Sequence, residues 1–192
     1  MRYAIDIALI PPKYIIDQIR FVNEASYNEG KSSVLLGHDD FVPHLSLLKG
    51  VSTKEHISVI EGNVEAIADK YLPLRFTISK HKGFSLIPQH SDQLMAMQQE
   101  IFEAVEPYLS HDATPNNFVR EDIDAITEDC YPWINDVDSH FTKDTYKPHI
   151  TIGEEASVKM SLPIVFENTE IALYQLGRYN TCRKLLWTNK NT

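Results

Sequence analysis

Two stretches of this chain repeat one pattern: "VPHLSLL" at 42–48 and "KPHITIG" at 147–153. Each sets a proline before a histidine and follows it with an aliphatic, a hydroxyl and a second aliphatic residue. Side chains of an extended strand alternate between its two faces. His44 and Ser46 therefore share one face, with Leu45 and Leu47 on the other. His149 and Thr151 share a face in the same way, opposite Ile150 and Ile152. Each copy offers an apolar side to bury and a polar side made of imidazole plus hydroxyl. The proline removes one backbone N–H and favours extended geometry just ahead of the histidine. Two such strands, expected over 41–48 and 148–152, bring two imidazoles and two hydroxyls to one groove when they lie side by side.

A third window of this kind, His56-Ile57-Ser58-Val59, reads differently. No proline precedes it, and it falls in a helical pattern where positions i and i+2 diverge. His56 is expected as a surface or half-buried helix residue.

The flanking sequence supplies elements that would hold a groove. Residues 2–10 read as a strand closed by Pro11 and Pro12. Residues 13–27 place Ile15, Ile16, Ile19 and Val22 near one helical face. A second helix opens at Ser52, with Glu55 three positions on in a capping-box pattern, and carries Ile57, Ile60, Val64, Ile67 and Ala68. Residues 72–80 and 83–88 form a hairpin turning near Gly83. A third helix at 91–109 is capped by Ser91 and lined by Leu94, Met97, Ile101 and Val105. Residues 110–146 are polar, acidic and irregular, with Trp133 and Phe141 as apolar anchors and short helical turns between 117 and 137. Residues 162–188 read as two or three antiparallel strands. Alternation early and clustered strands late make the fold class α+β, with helices packed on the outer faces of sheets.

Composition narrows the function classes. A hydrophobic fraction of 43% over 192 residues suffices for the core of one domain spanning 1–192. The formal net charge of −9 speaks against a long nucleic-acid track, so a nucleotide must be met by a local site. Cys130 and Cys182 lack C-x-x-C spacing and read as reduced thiols of a cytoplasmic protein. The apolar run at the N-terminus is interrupted by Asp6 and stopped by Pro11, too short for an export signal or a membrane span.

At the paired motif the chain resembles the two-histidine (2H) phosphoesterase superfamily, which includes 2′-5′ RNA ligase-like and cyclic nucleotide phosphodiesterase enzymes. Its signature is two His-Φ-Ser/Thr-Φ tetrads far apart in sequence, here "HLSL" and "HITI", 105 positions apart. The order of strands and helices is similar over residues 2–188. The resemblance implies a bilobal, pseudo-twofold arrangement of two antiparallel sheets around a central groove, with helices outside, no metal and no other cofactor. It implies His44 and His149 as an acid–base pair, with Ser46 and Thr151 binding the non-bridging phosphate oxygens. The chain departs from the family in having Ser46 where Thr is commoner, a short 154–161 stretch where the family often has a helix, and a long acidic 110–146 segment.

Elementary chemistry agrees with that assignment. In-line cleavage of a cyclic phosphate needs a base on the attacking oxygen and an acid on the leaving one. Two imidazoles, with an ordinary pKa of about 6.5, can hold opposite protonation states near neutrality. Hydroxyl donors stabilise the charge developing on the phosphoryl oxygens. The sequence leaves open which histidine plays which part. The expected substrate is a 2′,3′-cyclic or 2′-5′-linked phosphodiester of a nucleotide or a short RNA end.

Arg178 and Lys147 are candidate phosphate contacts, and Phe84 and Tyr146 are candidate stacking partners for a base. His38, His81, His90, His111 and His140 read as surface histidines. Glu121, Asp122, Asp124, Glu128 and Asp129 lack cation-loop spacing and read as a solvated acidic face. Two rival readings remain: a non-catalytic binder of nucleotides or RNA ends, and a metal hydrolase with His44 and His149 as ligands. The second lacks a carboxylate or third histidine at ligand spacing.

Overall fold

The computed structural model describes residues 1–37, 41–153 and 160–190, with the backbone alone at 123–125. Strand β1 (Arg2–Ile10) is followed by helix α1 (Lys13–Asn28), β2 (Leu45–Thr53), α2 (Lys54–Tyr71), β3 (Leu74–Lys82), β4 (Ser85–Pro88) and α3 (Asp92–Val105). After an irregular stretch come two short helices, α4 (Pro132–Asn135) and α5 (Val137–His140). The chain continues with β5 (Ile150–Thr151), β6 (Ile164–Asn168), β7 (Glu170–Leu176) and β8 (Cys182–Thr188). The strands form two four-stranded antiparallel sheets, ordered β2-β1-β7-β8 and β5-β4-β3-β6. The fold is α+β, as expected.

Alternation along β1 separates its two faces. Ile5, Ile7 and Leu9 enter the main core with Ile15 and Ile19 of α1, Ile60 and Val64 of α2, and Met97 and Ile101 of α3. The same core takes Phe76 and Ile78 of β3, so one apolar layer underlies both sheets. The opposite face of β1 carries Ala4, Asp6 and Ala8, all buried. Small side chains with one carboxylate leave room on that side for a groove.

Both motif strands lie at sheet edges, β2 in one sheet and β5 in the other. Their aliphatic faces are buried as alternation requires: Leu45, Leu47, Ile150 and Ile152 are at most 2% exposed. Side chains tie the two edges together. The Tyr146 hydroxyl donates to the Ser46 carbonyl at 2.9 Å. The buried amide of Gln98 donates to Leu47 O at 3.2 Å and to Phe141 O at 2.7 Å. Gly153 closes the second motif with φ +93°, where a Cβ would collide with the amide nitrogen of Asn23. That amide donates to Ile152 O, so the glycine lets α1 pin the end of β5.

Several boundaries differ from expectation. The first motif's strand begins at Leu45 rather than at 41, and runs on to Thr53; before it, Val42 makes only an isolated bridge to Cys182. The second motif's strand shrinks to two residues. Thr53, not Ser52, stands at the N-terminus of α2, because β2 runs directly into the helix and Ser52 is buried in it, donating to Tyr108 O at 3.1 Å. The Glu55 carboxyl is held below its usual range by its own backbone N–H and by the Thr53 hydroxyl. Ser91 caps α3 as expected, accepting from Leu94 N at 3.2 Å.

The 110–146 segment is more ordered than its composition indicates. Phe118, Cys130 and Ile134 pack against Ala4, Val51 and Leu176, covering one end of the first sheet's inner face. Phe141 is buried, but Trp133 is not the core anchor expected of it: the residue is 41% exposed. Asp122 is buried rather than solvated, paired with Arg183 Nε at 2.6 Å and accepting the Arg178 N–H at 3.2 Å. His111 is likewise held, between Ile134 O at 2.6 Å and Glu106 at 2.8 Å. His38, the Asp124 side chain and most of 154–161 lie outside the described residues. Among the described residues, no helix is long and apolar enough to cross a membrane.

Candidate active site

Each Pro-His pair delivers its imidazole in the same pose. His44 Nδ1 lies 2.7 Å from Val42 O, and His149 Nδ1 lies 3.0 Å from Lys147 O. A carbonyl can only accept, so Nδ1 carries a proton in both rings and Nε2 is the nitrogen left for chemistry. Both histidines line one cavity of about 400 Å³, together with Ser46 and Thr151. The four motif side chains share a groove.

The two halves of that groove are chemically unequal. Asp6, fully buried on β1, places Oδ2 within 3.4 Å of His44 Nε2 and 3.5 Å of Lys49 Nζ. The Ser46 hydroxyl donates to the same oxygen at 2.7 Å, whereas Thr151 stands exposed. Asp6 Oδ1 has no hydrogen-bond partner among the described residues. Lys49 reaches this spot through a β-bulge. Ile7 pairs with Leu48 but Ala8 pairs with Ser46, so Leu47 is the extra residue and the alternation slips by one. Without the slip Leu48 would face the groove; with it, Lys49 does.

On the second side, burial lowers the pKa of His149 below the ordinary imidazole value. The Lys147 carbonyl opposes that shift, the positive charge of Lys49 and of His44 adds to it, and Asp6 opposes it weakly. Trp133 contributes to the enclosure, its ring 6.2 Å from His149 and stacked at 4.1 Å on His140. His140, also depressed by burial, lines the groove instead of the outer surface.

The remaining candidates divide. Lys147 and Phe84 line the cavity, Phe84 with 56% of its surface exposed. Tyr146 also lines it, but its ring is buried and its hydroxyl is committed to Ser46 O, which makes it a strut between the motifs. Arg178 is not among the lining residues. Its backbone is anchored to Asp122 and its guanidinium lies 5.2 Å from the Phe41 ring centre. The side chain that reaches the cavity there is Tyr179, 53% exposed and held in the left-handed region at φ 57°. His56 sits on α2 against Tyr108 at 5.6 Å, away from the cavity.

Sequence reasoning missed Asp6, Lys49, Trp133, His140 and Tyr179. Only Asp6 left a usable trace, as the one charge between Tyr3 and Ile10 of an otherwise apolar strand. Its nearest ligand-type neighbours are His44 and Cys182: one candidate atom from each of the three lies within 4.8 Å of the others. A carboxylate therefore does approach His44, through strand pairing instead of sequence spacing.

The sequence matches no protein-family model and no curated protein. Its fold is shared with solved structures. Escherichia coli LigT complexed with ATP is 14% identical, with TM-score 0.56, covering 98% of this chain and 97% of that one. TT0787 of Thermus thermophilus is 14% identical with TM-score 0.58, covering 96% of each chain. A protein described as a phosphoesterase is 14% identical with TM-score 0.51, covering 98% of this chain and 97% of that one. At this identity the likeness establishes a LigT-like fold over nearly the whole length.

Proposed function

We propose that this chain is a 2H-type phosphoesterase, cleaving 2′,3′-cyclic or 2′-5′-linked phosphodiesters of nucleotides or short RNA ends. The observation that carries this reading is the matched pair of imidazoles, each pinned through Nδ1, on one cavity with a hydroxyl beside each. His149, depressed by burial, serves as the base: its Nε2 takes a proton from the attacking water. His44, the histidine with a carboxylate partner, carries a proton on Nε2 and delivers it to the leaving sugar oxygen. One proton is taken and one is given, and the two roles exchange in the ligating direction. Thr151 donates to a non-bridging oxygen, and Ser46 does so once it turns from Asp6.

Lys49 and Lys147 add local positive charge within a chain of net charge −9. Trp133, Phe84 and Tyr179 offer faces for a base. LigT has been solved with ATP and with 3′-AMP, which favours a nucleotide as the occupant of a groove in this fold. The net negative charge opposes long RNA, so small substrates are preferred and binding depends weakly on salt. We place the protein in the cytoplasm, where its two free cysteines stay reduced, and read it as one functional unit.

The test is a substrate panel of 2′,3′-cyclic mononucleotides, 2′-5′ and 3′-5′ dinucleotides, and a long RNA with a cyclic end, at several salt concentrations. Turnover of the 2′,3′-cyclic mononucleotides and the 2′-5′ dinucleotides is expected, with little or none of the 3′-5′ dinucleotides or the long RNA. Tight binding of nucleotides without turnover would favour the non-catalytic binder, and steeply salt-dependent preference for long RNA would contradict the local-site reading.

A further inference from the structure

We propose that Asp6, His44 and Cys182 form a binding site for a zinc-class divalent cation, and that filling it inhibits the enzyme by capturing His44. The three residues come from β1, the lead-in to β2, and β8, and present a carboxylate oxygen, an imidazole nitrogen and a thiol sulfur within 4.8 Å of one another. Because Val42 O engages His44 Nδ1, the available nitrogen is Nε2, already 3.4 Å from Asp6 Oδ2. Zinc bonds of about 2.0–2.3 Å put tetrahedral ligand atoms about 3.3–3.8 Å apart, so a contraction of about 1 Å closes the site. Mixed carboxylate, imidazole and thiolate donors suit zinc and cobalt and suit magnesium or calcium poorly.

A second observation points the same way. Asp6 is fully buried, yet its Oδ1 has no hydrogen-bond partner among the described residues. An unsatisfied buried carboxylate oxygen is costly, and a cation in contact with the group removes that cost. The fourth coordination position falls to the Ser46 hydroxyl, which already reaches Asp6, or to solvent from the groove. Two features oppose binding. Lys49 Nζ is the present counter-charge of Asp6 and must withdraw, and the Cys182 thiol, held protonated by burial and by Asp6, must lose its proton to the solvent.

The inhibition rests on the function proposed above, because the captured nitrogen is the one that protonates the leaving oxygen. The site itself does not rest on it. Cobalt(II) is the direct probe. Titrated into the purified protein, it is expected to give a near-ultraviolet thiolate-to-cobalt charge-transfer band that saturates at one equivalent and is displaced by zinc. Cys182→Ser and Cys182→Ala abolish the band, and Lys49→Met tightens binding. With a 2′,3′-cyclic nucleotide, zinc slows the wild type. C182S keeps the basal rate and needs at least about tenfold more zinc for the same slowing, since losing even an outer-shell partner costs 10–100-fold. No band at saturating cobalt, or a band that survives both Cys182 substitutions, would overturn the site. A band behaving as described, with no turnover of any substrate, leaves the site standing and removes the proposed function instead.

Discussion

Asp6 Oδ2 lies 3.4 Å from His44 Nε2, while His149 has no carboxylate at ion-pair distance among the described residues. Two motifs with matching sequence and matching Nδ1 contacts are thereby given different electrostatic surroundings. The repeat supplies two imidazoles, and a third strand makes them unequal.

That inequality sets a pH dependence. A base must be deprotonated to act, so kcat/KM rises as pH climbs through the pKa of His149. Burial lowers that pKa, which puts the rising limb below the ordinary imidazole value of about 6.5. Trp133→Ala admits water beside His149, relieves the desolvation and moves the limb toward higher pH. A full pH–rate profile of both proteins checks this; a wild-type limb above the ordinary value would assign the base elsewhere.

His44→Ala and His149→Ala are each expected to lower kcat/KM by at least about 10²-fold, the low end for a positioned acid or base. His56→Ala, carrying the third His-aliphatic-hydroxyl-aliphatic window on α2, is expected to match the wild type in rate. Steady-state kinetics on folded samples, with far-ultraviolet circular dichroism as the fold control, decide between the windows.

Asp6→Ala leaves the ammonium of Lys49 buried without its carboxylate. Breaking one side of a buried pair costs about 3–5 kcal/mol, and the full cost is expected here because both groups are over nine-tenths buried. The double change Asp6→Ala with Lys49→Met should recover most of that loss. Urea unfolding of the wild type, both single variants and the double variant measures the coupling. Equal losses in the single and double variants would show that the pair is not the source.

A base stacked in the groove should depend on Trp133. Replacing it with Ala is expected to raise KM for cyclic nucleotides by roughly tenfold, within the 1–3 kcal/mol typical of a stacked base, while Phe restores most of the binding. A KM unchanged by Trp133→Ala would move the base toward Phe84 or Tyr179.

The apolar and polar faces of the motif strands were legible in sequence because alternation is local: Leu45 and Leu47 had only to be read against His44 and Ser46. The same holds for α3, whose cap and apolar stripe lie within one short segment. What surrounds His44 was not legible, because it depends on strand order. Asp6 and Cys182 reach it only because β1 lies beside β2 and the chain before β2 bridges to Cys182. Lys49 depends further on a bulge that shifts its register, and periodicity cannot reveal a bulge. Trp133 was misread for a related reason. A large apolar side chain defaults to the core, and only the tertiary arrangement shows that this one walls a groove against His140 and His149.

The most direct test of the central claim is turnover of a 2′,3′-cyclic mononucleotide in excess chelator by the wild type, H44A and H149A. Two imidazoles and two hydroxyls are held sufficient for the chemistry. The wild type is therefore predicted to keep its rate in chelator, with each histidine variant at least about 10²-fold slower. Loss of wild-type activity in chelator with recovery on adding zinc or manganese, or retention of activity in either histidine variant, would contradict it.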